Sequence, residues 1–299
     1  MGRVTTTISP DPSIKDLLAR RGFIYAGQGD ESVLIRPQIV NFQMSMKYHE
    51  LLDRYSFRKI LRLITARKEP VHNKELIPIC SEPLLGQFKE FLVNSSIVEI
   101  DEDNSWSLKV KVDSFGYTLE WYISELLVKR LNAISSWNIK IEGLLAGGDF
   151  DILAFIDTIL LCVESKAKRP EDIDDSEVRN FLQRSQDLAP ELSVMLVDTD
   201  SELDALIDKF NTILLSARRI SMGITDRNWQ PKKPFIARVA GYSNICFGLQ
   251  RIFLTHSQPS IFRNLQDCLR YYHTYIKFAS FWGGPRFNYI TEEIIEDNR

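Results

Sequence analysis

The chain has no run of about 18 or more apolar residues, so nothing in it reads as a membrane-spanning helix. Its first residues, MGRVTTTISPDPS, lack the apolar core of a secretory signal, which predicts an intracellular, cytoplasmic protein with no membrane partner. Gly2 followed by Thr6 matches a myristoylation site formally, a match of the kind that arises by chance. Cysteine is scarce: Cys80, Cys162, Cys246 and Cys268 are scattered without C-x-x-C spacing. That excludes a zinc ribbon and a disulfide scaffold and predicts reduced, buried thiols. The histidines (His49, His72, His256 and His273) are too dispersed for a histidine-based metal centre. There is no glycine-rich phosphate loop and no G-x-S-x-G elbow, which removes the common nucleotide-binding and serine-hydrolase classes. Internal repeats and low-complexity tracts are also missing.

What remains is an ordinary globular composition, 44% hydrophobic and 26% charged over 299 residues, which suggests about two domains. The net charge of -3 conceals an asymmetry. Twelve acids fall between Glu171 and Asp208, whereas from Arg218 to Arg286 eleven cations face only Asp226 and Asp267, about +9. A basic segment of this kind can hold a polyanion by counterion release. It can also serve solubility and pair with the acidic middle.

Ser13 can cap a short helix over Ile14–Arg21, and Ser32–Arg36 suggests a strand. Phe57, Ile60, Leu61 and Ile64 recur at helical spacing, with Arg54, Arg58, Lys59 and Arg62 beside them. Asn73–Cys80 follows, then a helix opened by Ser81-Glu82-Pro83 with Leu84, Leu85, Phe88, Phe91 and Leu92 apolar. Strand-like Ile97–Ile100 and Trp106–Val112 flank a polar turn. Three helices and a small hairpin resemble a winged helix-turn-helix module, a class that binds DNA or serves protein contacts. Gln87, Lys89 and Glu90 on the outward face of its last helix are not strongly basic.

Tyr117–Leu131 is a helix whose apolar face (Leu119, Tyr122, Ile123, Leu126, Leu127) is bordered by Glu120. A strand at Trp137–Leu145 precedes the most informative stretch, Gly147 to Lys168. Its apolar runs Phe150–Ile156 and Ile159–Val163 meet at Asp157-Thr158. A tight turn there pairs Ile156 with Ile159, sets Asp151 opposite Glu164, and sets Asp149 opposite Lys166. Facing carboxylates on paired strands destabilise, and a divalent cation with hard oxygen ligands is the usual reason for them. The plainer reading is a hairpin whose rim carries ordinary salt bridges. A helix over Ser176–Leu188 capped by Asp174 or Asp175, a strand at Leu192–Val197 and a helix at Leu203–Leu215 follow. Further on, Phe235–Tyr242 and Ile245–Thr255 read as strands and Ser260–Phe278 as an aromatic-rich helix before an acidic tail, Glu292 to Asp297.

The order helix, three strands, helix, strand, helix, with Asp149-Phe150-Asp151-Ile152-Leu153-Ala154 and then Val163-Glu164-Ser165-Lys166, resembles the PD-(D/E)xK nuclease superfamily. The likeness covers roughly residues 115–217 and is nearest the Mrr-like and Holliday-junction-resolvase-like branches; Ser165 departs from the apolar or small residue usual there. It implies an α/β fold, with a restriction-endonuclease-like mixed sheet flanked by helices beside the winged-helix-like domain. It also implies metal-dependent phosphodiester hydrolysis, endo- or exonucleolytic, on DNA more than RNA. Asp151 and Glu164 would then hold Mg²⁺ or Mn²⁺, joined by Glu120 and Asp149 as further carboxylates. Lys166 would orient the attacking water and offset charge, and Gln183 would be a substrate-side polar residue. The expected organisation is 1–45 of unassigned role, 46–112 winged-helix-like, 113–222 nuclease core and 223–299 a basic extension. The alternative is a catalytically silent subunit that keeps the fold to bind nucleic acid or assemble. A second copy or an accessory protein is left open as a partner.

Overall fold

The computed structural model describes residues 12–38, 41–67, 69–145, 147–222, 231, 234–248 and 251–277. Among them, eight strands form one mixed sheet and three form a small second sheet. The small sheet belongs to a unit of consecutive elements. Helices α2 (Phe42–Leu52) and α3 (Tyr55–Ala66) come first, followed by β2 (Val71–His72) and the single turn α4 (Asn73–Leu76). Then come α5 (Glu82–Asn94), β3 (Val98–Ile100) and β4 (Ser105–Leu108), with strand order β2-β4-β3. The stripe expected on α3 is buried as spaced: Phe57, Ile60, Leu61 and Ile64 enter one core with Phe88 and Leu92 of α5. Helix α2 is an element the sequence reading did not assign, and it is capped by Asn41.

The large sheet is assembled from both ends of the chain. Its order is β1 (Ile24–Gly27), β5 (Ile134–Glu142), β6 (Asp149–Ile156), β7 (Ile159–Lys166), β8 (Leu192–Val197), β11 (Ile252–His256), β10 (Ile245–Gly248) and β9 (Ile236–Arg238). β7, β8 and β11 run parallel, and every other neighbouring pair is antiparallel. The parallel step from β7 to β8 is made by α7 (Asp175–Leu188), as a parallel pair requires a crossover. The expected boundaries at 113 and 222 therefore cut through one sheet. Strand β1 adds to the edge at β5, and β9–β11 extend it beyond β8. Helix α1 (Ile14–Arg20) packs Ile14 and Leu18 against Ile139, Phe150 and Leu160; Ser13 caps it as expected, and Asp16 completes a capping box.

Other boundaries moved. Ser32–Arg36 is not a strand: Glu31–Val33 is a 3-10 turn capped by Asp30. Strand β5 begins at Ile134 instead of Trp137 and ends at Glu142. Helix α9 spans Ile261–Tyr271, and Tyr271 and Tyr272 are buried, a core use of these aromatics. The acidic tail 292–297 and much of the basic stretch (Arg227, Lys232, Lys233, Arg286) lie outside the described residues. Of the described basic residues, Arg238 pairs at 2.8 Å with Glu202 and with Asp204, acids of the middle segment.

Helices cover both faces. On one face, α6 (Gly116–Leu131), α9 and the N-terminal unit meet Ile152, Leu161, Val163, Val194 and Leu196. On the other, α7 and α8 (Asp204–Ser221) pack on Met195, Val197, Ile252 and Leu254. The strict alternation of Val194, Met195, Leu196 and Val197 between these cores is the period of a strand buried on both sides. Among the described residues no helix is long and apolar enough to cross a membrane. The four cysteines are free.

The N-terminal unit is fixed to the large sheet by a buried ion pair. Arg58 of α3 (1% exposed) reaches Asp198 (0% exposed), which follows β8, at 2.8 Å. The rest of the guanidinium donates to Leu52 O and Asp53 O. The amphipathic pattern marks Arg58 as surface; its partner, far along the chain, accounts for its burial.

Candidate active site

The hairpin β6–β7 turns at Asp157, in the left-handed region at φ 52°, and Ile156 pairs with Ile159 as the turn predicts. The antiparallel ladder runs back only to Ile152↔Val163. Beyond it β7 stays paired with β8 (Glu164↔Met195, Ser165↔Leu196, Lys166↔Val197), so β6 and β7 part where the acids begin. Asp151 takes over from the lost ladder bond: its Oδ2 accepts the Ser165 N–H at 2.8 Å.

A second irregularity aims Asp151. β6 pairs with β5 through Trp137↔Ile152 and Ile139↔Phe150, but the intervening Asn138–Asp151 pair is missing from the ladder and Asn138 has φ 46°. On one side of this break Ile152 and Trp137 belong to the core under α6; on the other, Phe150 and Ile139 belong to the opposite core. Simple alternation, which puts Phe150 and Ile152 on one face, fails here. A local break of this kind re-aims a side chain, and such breaks concentrate beside functional sites.

Glu164 is 3% exposed and has a cation on each oxygen: Lys166 Nζ on Oε1 at 2.8 Å and Arg184 Nη2 on Oε2 at 2.6 Å. Lys166 also lies 3.4 Å from Glu177, whose other oxygen takes Lys168 and the Asp174 N–H. Glu177 is thus both the capping-box acid of α7, with Asp174 as N-cap, and part of the charge cluster. Glu120 faces the group from α6 and makes no hydrogen bond or ion pair among the described residues.

The electrostatics follow from burying acids together. Burial, then repulsion from Glu164, raises Asp151 to about 7 against the pull of Lys166, the Ser165 N–H and Arg184. Burial, then Asp151 and Glu164, raises Glu120 to about 9, with Lys166 opposing. Burial alone would lower Lys166, but Glu164, Asp151 and Glu177 outweigh it and the net shift is upward. Lys166 is therefore an ammonium held among carboxylates.

Sequence expectation and geometry agree on part of this set. Asp151, Glu164, Lys166 and Glu120 come together. Asp149 does not: it is exposed, it registers with Lys140 of β5, and the ion pairs of Lys166 are with Glu164 and Glu177. The opposition of Asp149 to Lys166 fails because the strands have already separated. Gln183 donates to Asp187 of its own helix at 2.8 Å, and its neighbour Arg184 is the residue that reaches the acids. Arg184 and Glu177 were missed. Their signal was position, since both border the buried stripe of Val178, Phe181, Ser185 and Leu188 on α7.

Among the described residues no group of three or more His, Cys, Asp and Glu side chains stands as an assembled metal centre. The donor chemistry nonetheless fits a hard divalent cation. Asp151, Glu120 and Glu164 are oxygen donors gathered at one place, and burial with mutual repulsion makes Asp151 and Glu120 hold their protons to raised pH where no cation is present.

Two clefts open beside the cluster. One of about 290 Å³ is lined by Ser165, Lys166, Lys168, Arg62 and the 113–116 turn before α6. The other, of about 270 Å³, shares Arg62, Ala167 and Lys168 with it and continues past Tyr55, Lys59 and Arg169.

No protein-family model matches the chain, and none of the curated proteins does. Among solved structures it is similar to Can2 from Sulfobacillus thermosulfidooxidans, solved in complex with cyclic tetra-adenylate. The TM-score is 0.47 at 13% identity, over 86% of this chain and 61% of that one. It is also similar to protein VC1899 from Vibrio cholerae, with TM-score 0.39 and 14% identity over 62% of this chain and 52% of that one. The chain thus matches less than two thirds of the length of either.

Proposed function

We propose that this chain is a metal-dependent nuclease that hydrolyses phosphodiester bonds, DNA in preference to RNA, on a PD-(D/E)xK-type core. The observation that carries the reading is the meeting of Asp151, Glu164 and Lys166 where β6 and β7 part, with Glu120 facing them. The succession α6-β5-β6-β7-α7-β8-α8 supports the same core. The order α3, β2, α4, α5, β3, β4 with sheet order β2-β4-β3 supports the winged-helix reading of the N-terminal unit.

In this reading Asp151 and Glu164 hold Mg²⁺ or Mn²⁺, with Glu120 as a third carboxylate; the cation supplies Lewis-acid stabilisation of phosphoryl charge. The chain's own residues do the rest. Lys166 points an ammonium at developing negative charge, and Glu164 and Glu177 keep it protonated and placed. Arg184, held by Glu164, is a second cation able to turn to a substrate phosphate. Asp151 must ionise to hold the cation, so cation binding strengthens as pH rises through about 7.

Incubation with single- and double-stranded DNA and RNA in Mg²⁺, Mn²⁺ or EDTA tests this. Cutting that needs metal and is lost in Asp151→Ala and Lys166→Ala is expected. Cutting that persists in both variants overturns the site assignment. One observation favours a second reading, a catalytically silent binding or assembly subunit: Lys166 and Arg184 already occupy both oxygens of Glu164. Salt-sensitive nucleic-acid binding without cutting of any substrate would select it.

A further inference from the structure

We infer that the two clefts form one trough that binds the phosphate backbone of a single nucleic-acid strand leading to the acid cluster, with α3 of the N-terminal unit as its outer wall. This deepens the nuclease reading and rests on it. The clefts adjoin, with Arg62, Ala167 and Lys168 lining both. The inner one brings Arg62, Lys166 and Lys168 around a space with Asp113 as its acid. That places positive charge within reach of the scissile position and of a neighbouring phosphate.

The outer cleft is of mixed charge, and its chemistry decides what can bind. Lys59 pairs with Asp200 at 3.6 Å, with side chains 40% and 57% exposed. A pair this exposed contributes little, so a phosphate can replace the carboxylate. Arg62, 23% exposed, donates to the Asp198 carbonyl at 2.9 Å and to the Tyr55 hydroxyl at 3.4 Å, and lies 4.0 Å from Asp198 Oδ2. Tyr55 orders both cations: Lys59 and Arg62 lie 5.4 and 5.9 Å from its ring. Long side chains already ordered lose less entropy on meeting a ligand. The wall itself is fixed by the buried Arg58–Asp198 pair, and Asp198 N–H donates to Lys166 O at 2.7 Å, so trough and cluster share one support.

Volumes of about 290 and 270 Å³, just under the range of ligand pockets, suit a nucleotide or so each, which fits one strand laid along both clefts.

The test is fluorescence anisotropy in EDTA, with labelled oligothymidylate, oligouridylate and a blunt DNA duplex, on the full chain and on the Lys59→Gln/Arg62→Gln variant. The single strands should bind more tightly than the duplex, and the two sugars report whether DNA is preferred. The double variant should weaken single-strand binding on the order of tenfold and reduce the salt slope by about 1.4, near 0.7 per phosphate contact. A folded variant with unchanged affinity and slope, or a duplex bound as tightly as the single strands, overturns the proposal. Where thermal melting shows that the double variant does not fold, Lys59→Gln alone carries the test with a slope change of about 0.7. Working in EDTA separates binding from cutting. Cutting with unchanged variant binding defeats the trough alone, and trough binding without any cutting defeats the catalytic reading alone.

Discussion

Among the described residues charge is buried in two places, and differently in each. At the end of β8, Arg58 and Asp198 form a pair with side chains 1% and 0% exposed, and the guanidinium's remaining donors meet backbone carbonyls. At the end of β7, Glu120, Asp151, Glu164 and Glu177 crowd around Lys166, Lys168 and Arg184, and burial with mutual repulsion raises two of the acids. The first arrangement joins two parts of the fold: Arg58 holds Asp198 Oδ1, while Oδ2, without a hydrogen-bond partner, has the Arg62 guanidinium 4.0 Å away. The second gathers four carboxyl groups around three cations, and two of them, Asp151 and Glu120, hold their protons to raised pH. Acids perturbed together in this way make the cluster a functional-site candidate.

That contrast can be broken at several points. The largest effect is expected at Lys166. Replacing it by Met should lower cleavage by about 10³-fold, about 4 kcal/mol in the transition state, with the melting curve retained. Comparable losses of folding and activity would instead make Lys166 structural. Next is the Arg58–Asp198 pair. Asp198→Asn should cost about 3–5 kcal/mol in denaturant unfolding, because it strands the buried Arg58 charge. A neutral result would remove the distinction between the two clusters.

The acid cluster should behave in the opposite sense. Native Asp151 and Glu120 hold their protons to higher pH than in the unfolded chain, so the folded state binds more protons. Metal-free stability therefore falls as pH rises from about 4 towards 7 for Asp151 and on towards 9 for Glu120. Glu120→Gln should stabilise the metal-free protein at alkaline pH by on the order of 1–2 kcal/mol and flatten the upper part of the profile. A destabilised variant would show that Glu120 is balanced after all. The smallest effect is expected at exposed Asp149, where Asn should change cleavage by no more than about twofold. A large loss there would return Asp149 to the metal site.

The contrast also explains what could be read in the sequence. The hairpin register was legible because Ile156, Ile159 and the apolar runs leave one turn at Asp157-Thr158, and α3 and α6 were legible from their stripes. That register brought Asp151 to Glu164, whereas Lys166 came from the resemblance of Val163-Glu164-Ser165-Lys166 to the family motif. Asp149 was misplaced because alternation assumes an unbroken strand, and the break at Asn138 and Asp151 depends on β5. Arg58 was invisible as a core residue because helical periodicity assigns an arginine to solvent and its partner is 140 residues away. Strands β1 and β9 are too short, at four and three residues, to announce the sheet they extend.

The central claim is that the acid cluster is a cation site. Its most direct test is calorimetric titration of Mn²⁺ into the wild-type protein and into Asp151→Asn, at a pH above and a pH below the Asp151 value of about 7. The account predicts saturable binding to the wild type that weakens at the lower pH and is lost in Asp151→Asn. No binding at either pH, or equal binding by wild type and variant, would contradict it.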